Sequence, residues 1–152
     1  MRDDLRQARL YFALLALFTL GRWWMGFAGV EYERGHHVFS IVILTLLSCV
    51  YYPAFLRRVR GDGVMRGVAV GLLFGFVSQL VILVSTALSY GLALETYFNN
   101  PPALNVEEAI GFAPALARRL LGLGANSLSC GVVGALGWAL GALLPGDRAP
   151  SP

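Results

Sequence analysis

Glu31, Glu33, His36 and His37 fall within one seven-residue stretch, EYERGHH. Carboxylates and imidazoles at this density are the raw material of a divalent metal site, which Glu95 or Glu107 would complete. Adjacent histidines on a helix point about 100° apart, however, and rarely ligate one ion together. The cluster is therefore read as polar residues at a membrane edge, with no bound metal expected. His37 keeps a second reading, as a bundle-facing hydrogen-bond or proton site, because imidazole titrates near neutrality.

Arg22 is the one base inside a predicted span. An arginine at that depth costs free energy unless it snorkels or pairs. Snorkelling to the outer headgroups is the simpler expectation. The sharper one pairs Arg22 with Glu95, and that charge-neutral pair would tie the first helix to the third or bind an anionic headgroup.

Ser78 and Gln79 lie near the middle of the longest apolar run, where a buried amide must find a partner. Helix-to-helix hydrogen bonding is the ordinary role, and a path lined by Ser78, Gln79, Ser85 and His37 is the functional one. No Asp, Glu, Lys or His occurs at mid-span depth. That argues against a proton-coupled pump. Cys49 and Cys130 both sit inside apolar runs and form no CxxC pair, so they are read as small core residues.

The sequence contains no GxSxG, no P-loop (it has no Lys at all), no HExxH and no cysteine pair suited to disulfide chemistry. No catalytic residue is assigned and no cofactor is expected. GLGANSLSCG has only a superficial likeness to a nucleotide loop, since no strand precedes it.

Positioning falls to helices. Of 152 residues, 57% are apolar and 14% charged, and the mean hydropathy is +0.64. This is the composition of a membrane protein rather than a soluble domain. Residues 67–94 carry no charged side chain. As a helix they measure roughly 42 Å against a hydrocarbon core of about 30 Å. Further spans are expected at about 5–28, 38–56 and 120–144. A signal peptide at the start is the lesser alternative, because Asp3, Asp4, Arg22, Trp23 and Trp24 spoil its flanks.

Within the second span, His37, Ser40, Leu44, Ser48 and Tyr51 step by three or four and should share a face turned into the bundle. Gly67, Gly71 and Gly75 recur every four residues on the third span, and Gly131, Gly134, Gly137 and Gly141 line the fourth. Rows of small residues let helix backbones approach closely, which in lipid is a main source of association. The segment 95–119 is expected to lie on the outer side. Asn105 would cap a short helix there, with Glu107 and Glu108 in its first turn, and that helix would rest in the interface.

All twelve basic residues are arginines. Eight of them (2, 6, 9, 57, 58, 60, 66 and 148) fall on the side of the termini and three (34, 118 and 119) on the other. The positive-inside rule then places both termini in the cytoplasm. The lysine-free, Gly/Ala/Leu-rich composition suggests GC-rich coding and a bacterial inner membrane. The net charge of +3 is no sign of nucleic acid, because the arginines mark membrane edges.

The expectation is an all-α integral membrane four-helix bundle, a single membrane domain over 1–152, with a short interfacial helix between the third and fourth spans. Its partners would be the lipid bilayer and either further copies or a larger membrane complex. The expected role is a non-catalytic accessory or scaffold subunit packing through its Gly/Ser faces. A small oligomeric transporter or channel is the alternative. A weaker one is an enzyme acting on lipid or quinone at the outer interface through His36, His37, Glu31, Glu33 and Glu95.

Overall fold

Peptide groups in hydrocarbon have no water to bond, so long apolar runs satisfy their backbone internally as helices. The computed structural model describes residues 8–144. Its elements are α1 (Arg9–Phe27), the single turn α2 (Tyr32–Gly35), α3 (Ile41–Arg60), α4 (Val64–Gly91), a 3-10 turn (Pro101–Leu104) and α5 (Phe112–Leu140). Four of these, α1, α3, α4 and α5, are long and apolar enough to cross a membrane. Together they form the expected all-helical membrane bundle. The arginines at 2, 6 and 148 and the start of the first span at residue 5 lie outside the described residues.

Local chemistry sets the helix ends. Ser40 caps α3 by accepting the Ile43 amide (3.4 Å), and Gly61, at φ 68°, ends it in the left-handed conformation a side chain disfavours. The fourth span differs most from expectation, starting eight residues early at Phe112 rather than at 120. Gly111 stands at its cap and Pro114 in its first turn, where a missing N–H leaves no helical bond unmade. Arg118 and Arg119 therefore belong to the helix. Asn105 does not cap a helix start. It sits at φ 53° and closes the 3-10 turn Pro101–Leu104, which is the short helical element between the spans.

The small-residue faces of α4 and α5 meet each other. A Cβ at Gly67 would lie 2.9 Å from the Gly134 carbonyl oxygen, and one at Gly75 would lie 2.7 Å from Cys130 Cβ and 2.9 Å from Ser127 Cα. A Cβ at Gly71 would meet the Cys130 carbonyl directly. The pairs 67 with 134 and 75 with 127 describe one antiparallel register. On the next side of α5, Gly137 lies against the Val50 and Cys49 backbone and Gly141 against Ala54, so α3 runs parallel to α5. Gly131 faces the flexible end of Leu72 instead.

At the end of the bundle nearest the described termini, Arg57 lies 3.8 Å over the Trp138 ring and donates to the Trp138 carbonyl (3.2 Å). Trp138 Nε1 in turn donates to the Asp62 carbonyl (2.6 Å). α1 attaches mainly through aromatic contacts. Tyr11 stacks on Phe74 at 4.1 Å and donates to its carbonyl (3.0 Å).

Candidate functional site at the loop end of the bundle

The site lies at the opposite end, beneath residues 95–104. Arg22 stands five residues before the end of α1, about 7.5 Å inside it, and Arg119 stands seven residues into α5, about 10.5 Å inside. Two helices of opposite direction thus carry guanidinium groups at similar distances from their ends. Both arginines line one chamber of about 90 Å³, together with Tyr32, Ile41, Ile82, Tyr97 and Phe98.

The two arginines are held differently. Arg119 Nε donates to Thr86 Oγ1 (3.0 Å) and its Nη2 to the Phe98 carbonyl (2.8 Å), which leaves three of the five guanidinium N–H groups for other acceptors. Arg22 is 8% exposed. Its guanidinium lies 5.9 Å from the Tyr32 ring centre and 5.6 Å from that of Tyr97. It has no hydrogen-bond acceptor among the described residues, and no described carboxylate comes within 4.0 Å of either arginine. The expected Arg22–Glu95 pair is not formed: Glu95 is exposed beyond the end of α4. Nor does Arg22 snorkel, since its side chain is turned inward under the aromatic rings.

Tyr97 ties the roof to the first loop by donating to the Glu31 carbonyl (3.0 Å). Its ring fits because Gly35 has no side chain; a Cβ there would run into Tyr97 Oη and Met25. Burial pushes the Tyr97 phenol above its ordinary range, and the nearby Arg22 charge partly offsets that shift. The roof is closed by Thr96, whose backbone N–H donates to Asn99 Oδ1 (2.9 Å), and by Asn99 Nδ2, which donates to the Leu94 carbonyl (2.8 Å).

A second cavity adjoins the chamber. Beneath Ala103, Leu104 and Asn105, beside Gln79 of α4 and residues 118–126 of α5, lies a groove of about 330 Å³. Arg119 and Ala103 line both cavities, and Gln79, Arg118, Leu121 and Asn126 line the groove. Gln79 is 8% exposed. Neither its amide nor that of Asn126 has a hydrogen-bond partner among the described residues.

The other candidates do not converge here. His37 is exposed rather than bundle-facing, because α3 starts after it. The His36 ring lies 3.7 Å from that of His37, tilted by 43°, and its Nδ1 meets the Glu33 carbonyl (2.9 Å). Glu31 pairs with Arg34 (2.9 Å), and among the described residues no three metal-ligating side chains are grouped. Ser48 and Ser85 are buried, as expected, while Tyr51 is exposed. Ser78 donates to the Gly75 carbonyl (2.9 Å) and Ser89 to the Ser85 carbonyl (2.8 Å), so the hydroxyls of Ser78 and Ser89 are satisfied within α4. Cys49 and Cys130 are buried free thiols beside Gly71, Cys49 Sγ lying 3.8 Å from the Gly71 carbonyl.

Chemically, the chamber presents hydrogen-bond donors of the kind that suit an anion. A guanidinium presents a planar fork of donors that matches carboxylate and phosphate oxygens. Two such groups without a carboxylate leave positive charge that burial makes costly until an anion arrives. No protein-family model matches the sequence, and no curated protein or solved structure shows similarity to it.

Proposed function

We propose that this protein is a non-catalytic accessory protein of the inner membrane whose working part is an anion-binding chamber at the outer headgroup level. The observation that carries the reading is Arg22, nine-tenths buried, with no acceptor among the described residues and sharing its chamber with Arg119. The excess of arginine on the side of the termini supports placing the chamber on the outer face. The ligand is a phosphate or carboxylate group small enough for about 90 Å³. The glycine rows serve the internal packing of α4 on α5, which fixes the distance between the elements that form the site.

A thermal-shift titration in detergent tests the reading. Inorganic phosphate should raise the Tm of the full-length protein above the effect of sodium chloride at equal ionic strength. Arg22→Gln and Arg119→Gln should each remove that difference. An equal response of the native protein and both variants overturns the proposal.

A further inference from the structure

Gln79 is a nine-tenths buried amide with no partner among the described residues, and it faces the groove. Asn126 brings a second amide to the same place. A Cβ at Gly122 would sit 3.5 Å from Asn126 Nδ2 and 3.8 Å from Gln79 Oε1. Gly122 lies four residues, about 6 Å, deeper than Arg118. The groove thus presents guanidinium groups at its top and two amides one turn below. Exposed Leu121 and Leu128 continue outward along α5.

An unpaired amide at this depth is costly, because lipid chains offer it no hydrogen bond. A ligand that satisfies the groove must bring an anion at the level of the arginines and hydrogen-bonding oxygens one turn beneath it. It must then turn apolar. A glycerophospholipid has this order: the phosphate first, the two ester carbonyls across the glycerol, then the acyl chains.

Resting on the anion-binding reading above, we infer that the ligand is an ester-linked glycerophospholipid entering sideways from the membrane. Its phosphate is held by Arg119, with Arg118 on the groove side and Arg22 on the chamber side. Its ester carbonyls accept from the Gln79 and Asn126 amides, and one acyl chain lies along Leu121 and Leu128. Arg118 can turn toward the phosphate, since it is exposed and its one hydrogen bond among the described residues is a long 3.4 Å contact to the Asn105 carbonyl.

Native mass spectrometry of the full-length protein in detergent tests this with three probes: dioleoyl phosphatidylglycerol, its diether counterpart without ester carbonyls, and soluble glycerol 3-phosphate. The ester lipid should bind roughly 25-fold more tightly than the diether, about fivefold for each of two net hydrogen bonds of ordinary strength. Gln79→Leu and Asn126→Leu should each cut that preference about fivefold while leaving arginine-dependent lipid binding in place. Asn126 is exposed, so its variant keeps the fold even if Gln79→Leu does not.

Equal binding of ester and diether lipids by the native protein overturns the inference, as does a failure to bind phosphatidylglycerol. Glycerol 3-phosphate binding as tightly as the lipid overturns it too, while leaving the anion chamber standing. Lipid binding that survives both Arg22→Gln and Arg119→Gln removes the chamber reading itself.

Discussion

Arg57 of α3 covers the Trp138 ring of α5 at 3.8 Å while donating to the Trp138 carbonyl at 3.2 Å. One side chain thereby makes a cation–π contact and neutralises the negative end of a neighbouring helix. Arg57→Met keeps much of the volume but loses both interactions. It should lower stability by about 1–2 kcal/mol in a detergent unfolding titration. Arg58→Met, on the exposed neighbour, should change it by less than about 0.5 kcal/mol.

Gly71 tolerates no side chain, since even a methyl group would strike the Cys130 carbonyl, and backbone cannot move aside as a side-chain tip can. Gly71→Ala should destabilise the bundle by about 1–3 kcal/mol. Gly124→Ala is the matched control within α5, with nothing within 4 Å of the added Cβ. It should be neutral or stabilising, because alanine has the better helix propensity. Equal losses in the two variants would show that the glycine row does not set the α4–α5 approach.

Removing the buried charge should help an empty site. In delipidated protein without added anion, Arg22→Met should stabilise the fold by about 1–2 kcal/mol, because it exchanges an uncompensated cation for apolar volume under Tyr32 and Tyr97. Added phosphate should reverse the ranking. A loss of stability in Arg22→Met without anion would mean that the aromatic contacts outweigh the cost of burial.

Tyr97 gives a pH dependence whose sign follows from its environment. Its phenol titrates higher in the folded chain than the ordinary value of 10.0, so the folded state holds its proton longer than the unfolded state. Its contribution to stability is complete below that ordinary value and is lost as pH rises through the folded-state value. Tyr97→Phe should remove this alkaline decline. It should also cost about 1 kcal/mol at neutral pH through the lost bond to the Glu31 carbonyl. Tyrosinate absorbance, compared between the native protein and the variant, reports the titration directly.

Much of the bundle was legible because its signals are local. A four-residue glycine spacing states which side of α4 must be approached, and Gly67, Gly71 and Gly75 do face α5. Two such rows on consecutive helices suggest packing on each other, and they do meet within one chain, although the spacing alone would equally suit a second copy. His37 was placed on the inner face by continuing a periodic pattern one step too far; Ser40 caps α3, so the helical phase does not extend back to residue 37.

The site was half legible. Arg22 and Gln79 stood out as polar groups inside spans. Arg119 did not, because a pair of arginines was taken to mark the membrane edge. Pro114 in a first turn, behind Gly111, was the signal for an earlier helix start that carries both arginines inside. Tyr97 and Thr86 were missed for a different reason. Their importance lies in contacts between segments distant in sequence, Glu31 with Tyr97 and Thr86 with Arg119, which no spacing rule encodes.

The chamber draws its walls from both ends of the polypeptide: Arg22 comes from α1, and Arg119 comes from α5. During synthesis the first segment reaches the bilayer long before the last is translated. The nascent chain must then shelter one cation among headgroups until its counterpart and the aromatic roof emerge. A chain stopped before residue 112 would carry Arg22 without Arg119, and so only part of the charge that the finished chamber holds.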